Sequence, residues 1–96
     1  MKLVSVKPAT NGKNKYTATF LQDNGRMKTT NFGAKGYIDK TLGATDEQVK
    51  AYRTRHRKDL ETKDPTRAGH LSFYLLWGDS TSLRVNVADY KKRFNL

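Results

Sequence analysis

Sites that do chemistry need nucleophiles, acid–base groups or metal ligands, and this chain offers few of them. It has no cysteine and two histidines, His56 and His70. A disulfide framework, a thiolate nucleophile and a zinc ribbon are therefore excluded. The histidines are distant in sequence, and a metal would have to recruit scattered carboxylates around them. His56 falls on the helical face of Val49, Tyr52 and Leu60 and reads as a core-edge residue. His70 follows Gly69 and reads as a helix-surface or packing residue. Ser72 lies inside an apolar window, outside any nucleophile-elbow pattern. Most of the acids surround one basic segment, where they suit helix-dipole and ion-pair roles. The expectation is a protein that is not an enzyme, with no catalytic residue, no metal and no cofactor.

The chemistry the sequence does offer is electrostatic. Nineteen Lys and Arg stand against nine Asp and Glu, a formal net charge of +10. Solubility of a small domain needs a magnitude of only about 2–8, and an excess of this size draws polyanions. Residues 1–40 hold eight basic and two acidic groups, residues 41–64 six and five, and residues 65–96 five and two. The excess thus sits toward the two ends of the chain. The candidate contacts to nucleic acid or an acidic partner are Lys35, Lys50, Arg53, Arg57, Lys91, Lys92 and Arg93. Lys35 lies between Gly33 and Gly36, in a stretch too short for a P-loop and without the Ser or Thr that follows the P-loop lysine. It reads as a turn whose amides can meet a phosphate. Lys50, Arg53 and Arg57 recur at helical spacing. Lys91-Lys92-Arg93 either contacts phosphates or complements a helix C-terminal dipole. Tyr74 and Trp77, embedded in an apolar run, read as core rather than as base-stacking platforms. Tyr16 beside Lys15 and Tyr37 near Lys35 are the aromatic residues interleaved with cations.

The elements that must position these groups form one domain, residues 1–96, with a lean apolar content of 35%. Leu3–Val6 is β-prone and ends at Pro8. Tyr16–Leu21 alternates apolar and polar residues at the period of a half-buried strand. Asn24-Gly25 supplies the positive φ angles of a tight hairpin turn, and Arg26–Phe32 is the returning strand. The N-terminal run is expected to pair as a third strand, because an isolated hairpin is marginal in water. Gly33–Lys40 reads as a connecting loop anchored by Tyr37 and Ile38. Thr45 and Gln48 form a capping box for a helix that ends at Asp64-Pro65. Thr66 is a cap for a second helix through Trp77, with Gly78 as its stop. Ser80 or Thr81 is a cap for a third, with Leu83, Val87, Tyr90 and Phe94 on one face. Leu83, Val85 and Val87 also alternate as a strand would, but the helical pattern takes in more residues. The expected fold class is α+β: a small antiparallel β-sheet, made of a hairpin plus an N-terminal strand, followed by two or three α-helices. No apolar run approaches the ~18–20 residues of a membrane span, and Met1–Pro8 lacks the apolar stretch of a secretory signal.

Asn31-Phe32-Gly33-Ala34-Lys35-Gly36-Tyr37, then Tyr52 with Arg55-His56, Ala68-Gly69, Leu75-Leu76-Trp77 and Ala88-Asp89-Tyr90-Lys91-Lys92-Arg93-Phe94 occur in this order. In this ordered set the chain resembles a family of small basic proteins of nucleocytoplasmic large DNA viruses, including algal and giant viruses. The resemblance implies a virion setting, with host cytoplasm or nucleus during assembly. It does not decide between bridging capsid or other virion proteins and packaging nucleic acid. The surplus of positive charge gives DNA or RNA as partners through phosphate contacts, and the lack of a long apolar run gives no membrane. A non-enzymatic structural role as a minor capsid protein is then the leading expectation. Sequence-nonspecific nucleic-acid binding is the alternative. The resemblance carries over no catalytic residue.

Overall fold

A computed structural model describes residues 1–96. Three strands, β1 (Lys2–Pro8), β2 (Asn14–Leu21) and β3 (Met27–Ala34), form an antiparallel sheet in chain order. The helical half follows as α1 (Asp46–His56), α2 (Ala68–Leu71), a π-helical turn (Ser72–Leu76) and α3 (Leu83–Phe94). The fold is α+β.

The period-2 pattern of the strands becomes a two-faced sheet. Tyr16 opposes Phe32, Ala18 opposes Thr30 and Val6, and Phe20 opposes Leu3 and Lys28. Leu3, Ala18, Phe20 and Phe32 are buried, and they join Leu71, Leu75, Leu76 and Tyr90 in one core cluster. Each of the two phenylalanines contributes about 1.5–3 kcal/mol by leaving water. The other face carries Thr17, Thr19, Thr29 and Asn31 and is uncovered by any helix, which is why it is polar. A register shift between Leu3 and Ser5 leaves Val4 without a cross-strand partner, at 52% exposure, and brings Val6 opposite Ala18. Such a bulge on an edge strand interrupts the ladder that another chain would otherwise extend.

The β2–β3 connection is a hairpin, but not the two-residue turn that Asn24-Gly25 suggests. Gln22 and Arg26 close it, the Gly25 amide donates to the Gln22 carbonyl, and only Gly25 has positive φ, at 82°. This is a three-residue loop ending in a left-handed residue. The Asn24 side chain accepts from the Arg26 amide rather than taking the left-handed position. A Cβ at residue 25 would meet nothing within 4 Å, so Gly25→Val probes backbone conformation alone. It is expected to cost about 1–2 kcal/mol, read as a lower denaturation midpoint at unchanged slope.

The helices depart from local expectation at their junctions. The Thr45–Gln48 capping box forms as read. The helix it opens ends at His56, however, and the chain tightens into a 3-10 segment, Arg57–Thr62, closed by Lys63 in the left-handed region. Asp59 lies on this segment, and a Cβ on Gly69 would sit 3.0 Å from its side chain. Close packing on Gly69 therefore accompanies the change of helical type. Thr66 caps nothing. It is buried, accepts from Lys28 Nζ at 2.9 Å, and its carbonyl accepts from Thr30 Oγ1 at 2.7 Å, so it ties the loop to β3. Arg67 occupies the N-cap position of α2 without a side-chain cap bond. The second helix is not uniform either: Trp77 donates to the carbonyl five residues back, at Ser72. Gly78 does not stop it with a left-handed turn, because its φ is not positive. The third element is a helix, and its cap is Ser82, one residue beyond the two candidates.

His70 is a packing residue, only 2% exposed, surrounded by Tyr74, Tyr90 and Phe94. Tyr90 donates its single proton to the Pro65 carbonyl at 2.8 Å, so His70 Nδ1 carries a proton and donates to Tyr90 Oη at 3.1 Å. Burial holds the His70 imidazole below its usual range. As pH falls through about 6.5 the unfolded chain takes up a proton that the folded chain refuses. The stability from neutral His70 is thus complete above that value and is lost as pH drops toward the folded pKa. Asp64 acts later, since the Thr66 hydroxyl holds its carboxyl below the usual 3.8. The expected result is a melting temperature that falls between about pH 7 and pH 5 in the wild type. His70→Phe should flatten that slope, and an equal slope in the variant would assign it to other groups.

Candidate functional site

Of the nineteen Lys and Arg side chains, three lie within salt-bridge distance of a carboxylate: Lys15 with Asp39, Arg53 with Asp79, and Arg67 with Asp64. The rest leave their charge to solvent or to neutral acceptors. Lys35 is exposed in the turn after β3, where the Tyr37 amide donates to the Ala34 carbonyl and Gly36 takes a φ of 89°. Lys50 is exposed on α1, and Arg57 is exposed just beyond its end. Arg53, between them in sequence, turns inward. Its Nε donates to the Trp77 carbonyl at 2.8 Å and its Nη2 to Asp79 at 3.2 Å. It therefore fastens α1 to the end of the π turn rather than completing a basic stripe with Lys50 and Arg57. Lys91, Lys92 and Arg93 occupy the last turn of α3, with Lys92 and Arg93 exposed. The Arg93 guanidinium lies 4.9 Å from the centre of the Tyr74 ring, a cation–π contact that leaves its charge available.

The second feature is a cleft of about 600 Å³ between the end of β3 and α1. Its floor is Ser72 and Leu76 from the π turn with Trp77, the residue after it. One wall is Gly33 and Ala34 with Tyr37 and Ile38, and the other is Gln48, Ala51, Tyr52, Arg55 and His56 from α1. Three rings stack along this wall. Tyr52 lies 4.2 Å from His56 and 4.3 Å from Trp77, the latter pair within 6° of parallel. Trp77 is thus only partly buried: it packs on the core but also builds the cleft, which corrects the reading of it as plain core. Burial pushes the Tyr52 phenol up to about 12, so it stays a neutral hydrogen-bonding group at physiological pH. His56 sits at the core edge as read, with Nδ1 3.1 Å from Asp59.

The loop forming the opposite wall is anchored by a group that sequence reading passed over. Tyr37 and Ile38 do not anchor it; they are 72% and 46% exposed. Asp39 does, at 1% exposure. Its carboxylate accepts from Lys15 Nζ at 2.5 Å and from the Thr41 amide at 2.8 Å. Lys15 Nζ also donates to the Tyr37 carbonyl. An Asp followed two residues later by Thr is the local signal of such an N-cap, but its ion pair with Lys15 has no local signal.

Residues 4–56, more than half of the chain, match a family of unknown function, DUF5754. The chain belongs to this family. The DUF5754 segment takes in most of β1, the rest of the sheet, the Asp39 loop and all of α1. It thus includes both walls of the cleft, whereas the floor and the Lys91–Arg93 turn come from the residues that follow it. No curated protein and no solved structure matches the chain. No helix is long and apolar enough to cross a membrane.

Proposed function

We propose that this DUF5754 protein is a non-enzymatic structural component of a large DNA virus. In this reading it is a minor capsid protein whose basic faces engage acidic surfaces of larger virion proteins. The observation that carries the reading is the unpaired charge: an excess of +10 in which only three Lys or Arg side chains have a carboxylate partner. Cations that solvate no acid of their own chain keep their field for a partner. The virion setting rests on the ordered motifs from Asn31 to Phe94. A second reading, sequence-nonspecific binding of DNA or RNA, is favoured by the grouping of Lys91, Lys92 and Arg93 on one helix end.

Two measurements separate them. Fractionation of purified particles should place the protein with the shell rather than with the genome. Titration against duplex DNA should give weak binding, with a log–log salt slope near −3.6 if about four phosphates are neutralised, and little dependence on sequence. Reversing Lys91, Lys92 and Arg93 to Glu should flatten the slope. Recovery with the genome, together with DNA binding that survives about 0.3 M salt, where exposed charges are screened within ~6 Å, would favour the second reading.

A further inference from the structure

We infer that the cleft between β3 and α1 is a docking site for an acidic peptide segment of a partner protein. The segment would insert an aromatic or large aliphatic side chain and place a carboxylate on Arg55. The inference deepens the protein-partner reading above and rests on it.

Three observations meet here. The first is shape and chemistry. A volume of about 600 Å³ with an apolar floor of Leu76 and Trp77 lies in the range of sites that take a ligand of a few residues. The second is exposure at the rim. Tyr37 and Ile38 stand side by side in water, although their backbone is held by the buried Asp39 turn next to them. Adjacent exposed apolar residues on a rigid support are what an interface presents. The third is charge. No Asp or Glu lines the cleft, and Arg55 is exposed with no carboxylate partner. Lys15 is already neutralised by Asp39, so Arg55 is the cation left for a ligand. The ring faces of Tyr52 are already covered by His56 and Trp77. A nucleobase therefore cannot stack on Tyr52, whereas a side chain can enter against ring edges and Leu76. An acidic peptide meets all three conditions.

The test uses the full chain and a displayed library of random peptides. Trp77, the only tryptophan, reports occupancy of the cleft directly. Selected peptides should converge on an apolar anchor a few residues from Asp or Glu, and should shift Trp77 emission. Arg55→Glu should weaken them at least tenfold. Ala51→Tyr, which fills the cleft from an exposed helix position, should abolish binding without lowering the melting temperature. Reversal of Lys91, Lys92 and Arg93 to Glu should leave peptide binding intact. Peptides without acids, or indifferent to both cleft variants, would overturn the inference. So would AMP shifting Trp77 emission when no peptide does. Were shell association to survive both cleft variants but fall with the Lys91–Arg93 reversal, the docking site would be wrong and the protein-partner reading would stand. No association with any virion protein would remove both.

Discussion

Asp39→Ala is expected to lower stability by about 3–5 kcal/mol, the cost of breaking a buried ion pair from one side. Asp39 is 1% exposed and its partner Lys15 has a side-chain exposure of 12%. Removing the carboxylate leaves a half-buried ammonium group with the Tyr37 carbonyl as its remaining acceptor. It also leaves the Thr41 amide and hydroxyl without the group that caps the 3-10 turn at Lys40–Leu42. For a domain whose total stability is of the order of 5–15 kcal/mol, such a loss populates the unfolded state visibly. Denaturant titration at neutral pH should show the midpoint collapse. Adding Lys15→Met to the variant should recover part of the loss, because the stranded charge then disappears. A single variant within 1 kcal/mol of wild type would mean that water reaches the pair. The same substitution frees the Tyr37–Ile38 wall, so peptide binding at the cleft should fall with it.

Gly78→Ala is expected to cost about 3 kcal/mol or more, beyond the usual range for overpacking. Gly78 is buried, and its φ is not positive, so the demand here is for space. A Cβ would run into the Tyr74 carbonyl oxygen and approach Asn86 Oδ1 at 3.1 Å. Neither neighbour can yield cheaply. Tyr74 contributes backbone from the π turn. Asn86, only 2% exposed, holds the corner by donating to the Leu75 carbonyl at 3.0 Å and the Ser80 carbonyl at 2.8 Å while accepting from the Ser80 amide at 3.1 Å. Displacing it would leave the buried Leu75 carbonyl short of a partner, at about 1–3 kcal/mol, and would loosen the half-buried Ser80 backbone. Heat denaturation followed by Trp77 emission is the natural readout, since Trp77 precedes the corner directly. A melting temperature equal to that of wild type would show that the π turn and α3 can separate without loss.

What could be read from the residues was whatever depends on neighbours within a few positions. Period-2 alternation in Tyr16–Leu21 places one face inward whatever covers it. The Thr45–Gln48 box closes on itself, and the Leu83–Phe94 face repeats often enough to outweigh its strand-like start. The exposure of Lys35, Lys50, Arg57, Lys92 and Arg93 followed from their charge. The misreadings share one cause. Thr66 looks like a helix cap because its local setting allows it, yet Lys28 and Thr30, far away in sequence, claim it. Arg53 has the spacing of a surface stripe, but the Trp77 carbonyl lies within its reach. Asp39 looks like a loop acid until Lys15 is brought to it from β2. Hydrogen-bond partners supplied by tertiary contact displaced the local preference or added to it in each case.

The sequence by itself determined the class of this protein: an α+β domain with a hairpin, a capped helix, little material for catalysis and a large surplus of positive charge. These follow from composition and short-range spacing, which act before the chain folds. Only the tertiary structure decided where that chemistry is concentrated. The cleft draws its lining from β2, β3, the Asp39 loop, α1, the π turn and Trp77, with Lys15 and Trp77 lying 62 positions apart. A cavity is the space left when such elements pack, and no single segment encodes it. The same packing selected which cations are spent inside the fold, Lys15 and Arg53, and which, Arg55 among them, stay without a carboxylate partner.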